Sequence, residues 1–187
     1  EHLNTAKQQV HVYTNMRCGN HRFCELFNEL FKPNARLQKE IDFHHSHLTG
    51  KYISISFRFT TLLGDFTDCT GAPLPEAERI KLIQQSLDVV EKIKVSAPAH
   101  NMVLVTADSE RFLAEVSKIS GVYVIPGKVG HIDYDHGDDV NMKTFLDFFL
   151  ISGAQKVYLA KGKGMYNSAF AKTAALVNNR EFEMYEY

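Results

Sequence analysis

The sequence predicts an α/β fold in which helices cover both faces of a doubly wound, mainly parallel β-sheet. From about residue 50 onward, short β-branched segments alternate with segments that carry apolar residues at helical spacing. Segment 101–108, NMVLVTAD, is a continuous apolar run of strand length, which is typical of a strand covered on both faces. Such alternation over this length favours parallel strands joined by helical crossovers.

Each element of this alternation follows from a local pattern. The strands are predicted at 51–59, 101–108, 122–126, 156–160 and, as a final edge strand, 181–187. The intervening helices are predicted at 74–94, 109–119, 143–154 and 167–179. The buried face of the first of these helices is predicted from helical spacing to contain Ile80, Ile83, Leu87 and Val90. Asp108 is positioned to cap the second helix.

Residues 1–50 differ in pattern, so we predict a helical N-terminal segment there, followed by one α/β domain at 51–187. This segment is either a cover for the α/β domain or the tail of a neighbouring domain. Since the chain opens with Glu1 rather than Met, it is compatible with a trimmed protein or a fragment.

Within the N-terminal segment, 11–15 is a short strand candidate and 34–47 a short helix. Segment 21–32 is predicted to be an amphipathic helix that ends before a proline. Its inward-facing residues are predicted to be Phe23, Phe27, Leu30 and Phe31.

The composition excludes several classes of protein. Lys and Arg number 21 against 22 Asp and Glu, so the formal net charge of −1 lacks the electrostatic footprint of a nucleic-acid binder. The sequence contains neither an apolar run long enough to span a bilayer nor a signal segment at its start. Three cysteines, an odd number, argue against a disulfide framework, and we expect a cytoplasmic location.

Parallel α/β sheets bind ligands at the carboxyl ends of their strands, and this rule directs attention to Arg58, Asp108 and the loop 161–167. Arg58 stands near the end of an otherwise apolar strand. One interpretation is an anion clamp, because a guanidinium fork suits phosphate oxygens. The other is an ion pair with Asp65 or Asp68 at the edge of the sheet.

Segment 159–170, LAKGKGMYNSAF, consists of a strand, a loop containing Gly and Lys, and a helix start near Asn167 and Ser168. Backbone N–H groups and the helix dipole favour an anion at such a start. Neither the Walker pattern nor a GxGxxG fingerprint is present. The alternative is therefore an ordinary Gly turn followed by an N-cap serine.

Asp147 lies inside the apolar run KTFLDFFLISGA, residues 143–154. A buried carboxylate is costly unless a partner meets its charge. An internal partner would be a backbone N–H group, Arg58 or Lys161. The functional alternative is a ligand with paired donors, such as a guanine base, whose N1–H and N2–H₂ groups can both donate to one carboxylate.

Two histidine-rich segments, 44–47 and 131–136, raise the question of a metal site. Neither repeats a known ligand spacing, and Cys18, His21 and Cys24 also miss the spacing of a zinc site. The nucleophile elbow G-x-S-x-G does not occur either. We therefore expect no metal, no cofactor and no nucleophilic serine or cysteine.

The order of these motifs resembles the GDP-fucose-dependent fucosyltransferases, a superfamily with two Rossmann-like domains in the arrangement called GT-B. Arg58 takes the place of the Arg in the family's His-x-Arg motif, which holds the donor pyrophosphate, and Ser56 stands where the family often has His. Segment 106–108 is similar to the family's Thr-Asp pair. Asp147–Ser152 matches a helix segment whose Asp contacts guanine in relatives, and 168–171 is similar to a segment near the phosphates.

This resemblance covers about residues 50–180 and implies the donor-binding C-terminal half of a glycosyltransferase, with the N-terminal half missing. The implied reaction is inverting, metal-independent transfer of fucose or another sugar from a GDP-sugar to a glycan acceptor. It implies that Arg58 is catalytic, because Arg58 and the helix start at Ser168 would stabilise charge on the departing diphosphate. The donor-binding residues implied are Arg58, Asp108, Asp147, Ser168 and Phe170.

Two other functions are compatible with the same residues. One is a non-catalytic α/β domain that holds a nucleotide or a glycan. The other is an unrelated α/β enzyme acting on a phosphorylated small molecule. Base preference separates this second function from a GDP-sugar enzyme, since a guanine-specific site needs Asp147 and a mere phosphate site does not.

Overall fold

The computed structural model describes residues 20–66, 71–97, 102–130 and 137–187. Two helices precede the sheet, and they are α1 (Asn20–Leu30) and α2 (Ala35–His47). The strands are β1 (Tyr52–Phe57), β2 (Met102–Ala107), β3 (Val122–Tyr123), β4 (Lys156–Lys161) and β5 (Glu181–Glu186). The helices between them are α3 (Glu76–Ser96), α4 (Glu110–Val116), α5 (Asp138–Gly153) and α6 (Phe170–Val177). The strand predicted at 11–15 lies outside the described residues.

The five strands form one sheet in the order β3-β2-β1-β4-β5, and every neighbouring pair is parallel. From the central strand β1 the chain moves outward through β2 and β3, and then crosses to β4 on the other side of β1. The order of the strands therefore reverses between β1 and β4, where doubly wound sheets open a crevice at their carboxyl ends. The predicted fold class is confirmed, and β5 is an edge strand as predicted.

Helices cover both faces of the sheet, because both faces of its central strands are apolar. On one face α3 and α4 pack in a cluster that includes Ile53, Ile55, Phe57, Val90, Ile93, Val105 and Phe112. On the other face α5 and α6 pack in a cluster that includes Leu104, Leu146, Leu150, Val157, Ala171 and Ala174. Each large apolar side chain buried in this way contributes about 1.5–3 kcal/mol to folding.

The N-terminal helices lie against the α5 and α6 layer. The ring centroids of Phe27 on α1 and Phe148 on α5 lie 5.8 Å apart. The Asn28 side-chain amide donates to the carbonyl of Val177, the last residue of α6, at 2.8 Å. Two residues predicted to face inward are exposed, Leu30 at 70% and Phe31 at 58%, so the prediction was wrong for them. Leu30 is the last residue of α1, and Phe31 follows it at the rim of the cleft described below. The domain boundary at residue 50 stays a prediction.

The buried face of α3 differs from the predicted one. Ile80 is 55% exposed, and the buried residues are Leu82, Ile83, Ser86, Val89, Val90 and Ile93. This face is centred on Ser86, whose hydroxyl donates to the Leu82 carbonyl at 2.8 Å and bonds the Tyr187 hydroxyl at 2.6 Å. A serine whose hydroxyl is hydrogen-bonded can be buried like an apolar residue. A prediction that counts only apolar residues omits Ser86, and it therefore placed the buried face of α3 wrongly.

The strand predicted at 122–126 is shorter, spanning only Val122–Tyr123, and two helices start three or more residues from their predicted starts. α5 begins at Asp138 rather than 143, because Asp138 and Asp139 occupy its first turn, where carboxylates are favoured by the helix dipole. α6 begins at Phe170, later than the predicted start near Asn167 and Ser168. No helix in the described part of the chain has the length and apolar character needed to cross a bilayer.

Candidate functional site

A cleft of about 850 Å³ opens at the carboxyl ends of β1, β2 and β4, where the strand order reverses. This volume lies within the usual range for small-molecule sites. The cleft brings together the five residues singled out in the sequence, Arg58, Asp108, Asp147, Ser168 and Phe170, which all line it. Their roles in binding stay predictions.

Small polar side chains at the strand ends make room for this cleft on the α5 side of the sheet. The Ser56 and Thr106 hydroxyls, at the ends of β1 and β2, are hydrogen-bonded to each other at 2.8 Å and are buried. Both residues line the cleft. Because neither side chain is large, the strand ends do not fill the space between the sheet and α5 at this point.

Asp108 ties the end of β2 to the turn that follows β1. Its Oδ1 accepts from the Phe59 N–H and its Oδ2 from the Thr60 N–H, each at 2.7 Å. Its side chain is only 4% exposed, and Arg58 Nε lies 3.3 Å from its Oδ2. Burial raises the pKa of the Asp108 carboxyl, while Arg58 and the two N–H groups act in the opposite direction.

The predicted capping role of Asp108 was wrong, because the adjacent serine takes it. Ser109 is the N-cap of α4, and its hydroxyl oxygen accepts from the Phe112 N–H at 3.1 Å. Asp108 instead accepts from the two N–H groups that follow the end of β1. One of them belongs to Thr60, whose φ of 54° is in the left-handed region that β-branched residues avoid.

Arg58 therefore stands on a firmly held turn. Its guanidinium lies over the Phe66 ring, with Cζ 4.7 Å from the ring centroid. The expected partner Asp65 serves another purpose, since its Oδ2 accepts from the Ser109 hydroxyl and from the Arg111 N–H, both at 2.8 Å. The other expected partner, Asp68, lies outside the described residues.

The internal partner of Asp147 is Lys143, one turn earlier on α5, which was not among the expected partners. Lys143 Nζ donates to both carboxylate oxygens of Asp147 at 2.6 Å. The side chains are 6% and 13% exposed, so this is a buried ion pair in the wall of the cleft. Burial raises the pKa of the Asp147 carboxyl, and the Lys143 ammonium opposes that rise.

Sequence reasoning missed Lys143, although a signal was present. Side chains four residues apart are neighbours on a helix surface, so Lys143 and Asp147 are spaced to form an ion pair. Because both lie in an apolar run, the two charges are expected to be buried together. The Lys143 methylenes pack on Gly127, where a Cβ added to the glycine would lie 3.4 Å from Lys143 Cδ.

Asn141, also on the cleft wall, has a buried Oδ1 without a hydrogen-bond partner in the described ranges.

The first turn of α6 forms another part of the cleft wall. Ala169 is its N-cap, and the Ser168 hydroxyl oxygen accepts from the Phe170 N–H at 3.2 Å. The Phe170 ring meets the Phe148 ring edge-on, with centroids 5.5 Å apart. The Phe170 N–H is thus already paired with Ser168, and it is the other N–H groups of this first turn, which have no partner within the helix, that can meet an acceptor in the cleft.

Phenylalanine rings give the cleft an apolar side that the sequence did not reveal. The rings of α1 and α5 contact each other, with Phe27 centred 5.8 Å from Phe148 and 6.4 Å from Phe149. All three residues line the cleft, as do the partly exposed Phe31 and Phe145. A flat apolar wall next to a few polar groups is the usual character of a site for a small molecule with an aromatic part.

Among the residues with described positions, no group of three or more His, Cys, Asp and Glu could hold a metal ion. His44, in the first histidine-rich segment, is buried, and its Nδ1 lies 2.7 Å from the Tyr123 hydroxyl. The second segment, 131–136, lies outside the described residues. The expectation that the protein needs no metal stays a prediction.

The fold of this chain is similar to that of solved glycosyltransferase structures, although its sequence matches no family model. No family model matches the chain, and no curated protein matches its sequence. A crystal structure of NodZ alpha-1,6-fucosyltransferase co-crystallized with GDP is similar, with a TM-score of 0.56 and 20% identity, over 82% of this chain and 45% of that chain. The structure of NodZ soaked with GDP-fucose gives a TM-score of 0.51 and 18% identity, with the same coverage.

POFUT1 in its apo-form is more distant, with a TM-score of 0.47 and 13% identity over 81% of this chain and 46% of that chain. Identities this low bear on the fold alone. The chain spans 45% of the length of the NodZ structures. The resemblance drawn from the sequence motifs is therefore confirmed for the fold, and over 82% of its length the chain has the fold of the matched 45% of the NodZ alpha-1,6-fucosyltransferase structure.

Proposed function

We propose that this chain binds a GDP-sugar, GDP-fucose in the first instance, as the donor-binding part of a glycosyltransferase. The observation that carries the proposal is the convergence of Arg58, Asp147 and the first turn of α6 on one cleft at the switch point of the sheet. These groups suit a diphosphate, a guanine base and further phosphate oxygens respectively. The fold of the NodZ structures, one of which was co-crystallized with GDP, supports the same ligand.

The proposed reaction is transfer of the sugar to a glycan acceptor with inversion and without a metal. An acceptor hydroxyl attacks the anomeric carbon, the bond from that carbon to the diphosphate oxygen breaks, and GDP leaves with the electron pair. Arg58 and the N–H groups at the start of α6 stabilise the charge that develops on the diphosphate. Asp108 and Phe66 hold the Arg58 side chain in place for this role. The base that removes the hydroxyl proton is proposed to lie outside the residues of this chain.

A calorimetric titration of this chain with GDP, UDP, ADP and guanosine tests the proposal. We expect GDP to bind at least about tenfold more tightly than UDP or ADP, because only guanine offers two parallel donors to Asp147. Equal affinities for the three diphosphates would reject guanine recognition. Absence of binding to all four would reject a donor site in this chain.

Two variants assign the contacts. Arg58→Ala should weaken all three diphosphates by about tenfold or more, since it removes the proposed charge on the phosphates. Asp147→Asn should lower GDP affinity to that of UDP, because an amide cannot accept both guanine donors. Matched controls are Arg22→Ala and Asp88→Asn, which change exposed residues on α1 and α3 outside the cleft. A normal GDP preference in Asp147→Asn would contradict the role of Asp147.

A non-catalytic nucleotide-binding domain is the second candidate. It is favoured by the engagement of both buried carboxylates of the cleft, Asp108 and Asp147, in ion pairs, which leaves neither as an evident general base. GDP release from GDP-fucose separates the two functions. Release accelerated by acceptor glycans in the full-length protein supports the enzyme, whereas tight binding without turnover supports the binding domain.

A further inference from the structure

The Lys143–Asp147 pair can offer a ligand both a hydrogen-bond donor and hydrogen-bond acceptors, whereas Asp147 alone offers only acceptors. A lysine ammonium has three donors, and the two bonds from Lys143 Nζ in the described part of the chain both go to Asp147. The two side chains stand together on one face of α5, in the wall of the cleft. A cation and an anion side by side therefore present a donor next to two acceptors.

A guanine base presents the complementary arrangement on its edge. Its O6 accepts, and the adjacent N1–H and N2–H₂ groups donate. A carboxylate alone meets only the two donors, so O6 needs a donor beside that carboxylate. We propose that Lys143 is a specificity-determining residue that donates to O6 of the base while Asp147 accepts from N1–H and N2–H₂. This inference rests on the proposed function, and it names how the same site selects its base.

The proposal requires the ammonium to shift from a position facing both Asp147 oxygens to one beside a single oxygen. A lysine side chain allows this, because its flexible four-carbon stem carries the charge at its end. The ion pair is retained during the shift, so neither charge is left buried without a partner. Packing of the Lys143 stem on Gly127 keeps the ammonium at this wall of the cleft.

The same arrangement rejects adenine. Adenine carries an amino group at position 6 and an unprotonated N1, so it would face the Lys143 ammonium with a donor and the Asp147 carboxylate with an acceptor. Both contacts would be repulsive, and selectivity would thus come from rejection of the wrong base as well as from attraction of the right one. The two residues contribute separately, since Asp147 reads positions 1 and 2 and Lys143 reads position 6.

Base analogues separate these contributions. Calorimetry on the wild-type chain compares GDP with IDP, which lacks the N2 amino group, and with 6-thio-GDP, whose sulfur is a weak acceptor. We expect both analogues to bind about tenfold more weakly than GDP. In Lys143→Met the preference for GDP over 6-thio-GDP should fall to within about twofold, whereas Lys172→Met, an exposed lysine of α6 outside the cleft, should keep it.

Each outcome decides the proposal. If wild-type binds GDP and 6-thio-GDP equally, O6 is not read and the proposal is wrong, while GDP binding itself still stands. If Lys143→Met keeps the wild-type preference, another group reads O6 and the assignment to Lys143 is wrong. If wild-type binds no GDP, the proposed function fails and this inference with it. Should Lys143→Met not fold, Lys143→Gln, which keeps donors without the charge, should show a reduced preference, and an unchanged one would overturn the proposal.

Discussion

Replacing Asp108 by asparagine tests how the turn after β1 is held beneath the cleft. The substitution keeps the shape of the side chain but turns one carboxylate oxygen into an NH₂ group. In the wild-type, the two oxygens accept from the Phe59 and Thr60 N–H groups at 2.7 Å, and one lies 3.3 Å from Arg58 Nε. The new NH₂ group must face one of those N–H donors, so one backbone donor loses its partner.

The magnitude follows from these contacts. Losing a hydrogen bond to a charged group costs about 1.5–3 kcal/mol, and a buried donor left without a partner costs about 1–3 kcal/mol. The lost ion pair adds less, because the Arg58 side chain is 22% exposed and solvent screens it. Relief of the carboxylate's burial acts in the other direction, so we expect Asp108→Asn to lower the free energy of unfolding by about 3 kcal/mol.

Urea unfolding at pH 7, followed by far-UV circular dichroism, measures this change. With a slope of about 2 kcal/mol per molar urea, the midpoint should fall by about 1.5 M at an unchanged slope. Asp88→Asn, on the exposed surface of α3, is the control and should change stability by less than about 0.5 kcal/mol. A loss below about 1 kcal/mol in Asp108→Asn would refute the reasoning that its charge holds the turn.

Three further changes test other parts of the structure. Ser109→Ala removes the N-cap of α4 and should lower the free energy of unfolding by about 1 kcal/mol in the same assay, with Ser117→Ala as the exposed control. Gly127→Ala forces a Cβ onto a residue with φ of 132° and should lower stability by about 1–3 kcal/mol in thermal unfolding, whereas Gly137→Ala, with φ of −74° and open space, should change it less. Because burial raises the folded-state pKa of Asp147, its contribution is fully present below its unfolded pKa of about 4 and is lost as pH rises through the folded value. Relative to Asp147→Asn, wild-type should therefore gain stability as pH falls from 6 to about 4 in urea titrations, and a constant difference would contradict the raised pKa.

The fold was predictable because its signals are regular. Four β-branched or apolar runs and a final strand that combines acidic with apolar residues are interleaved with helical segments, and parallel pairing follows from that alternation. Errors arose where one polar residue interrupts a buried face, as Ser86 does on α3. They also arose at helix ends, because a cap depends on which neighbouring N–H group is free, and Ser109 rather than Asp108 meets that need at α4.

The sequence predicted which residues line the candidate site, but it did not predict the side-chain partner of Asp147. Residues just after strands converge in any doubly wound sheet, so the meeting of Arg58 and Asp108 at one edge follows from topology. The partner of Asp147 is Lys143, four residues earlier on the same helix, whereas the side-chain partners predicted from the sequence, Arg58 and Lys161, lie on other elements. The phenylalanine wall was hidden because apolar residues on helices are ordinarily assigned to the core.

The central position of β1 also has a consequence for how the protein folds. Tyr52 pairs with Met102 and Ile53 with Lys156, so the strand's two ladders close loops of roughly 50 and 100 residues. Such distant pairings lose chain entropy before any contact compensates for it, and they make folding slow. The cleft exists only once β4 has joined β1, so during synthesis Arg58 and Asp108 must wait for the last third of the chain before the site around them can form.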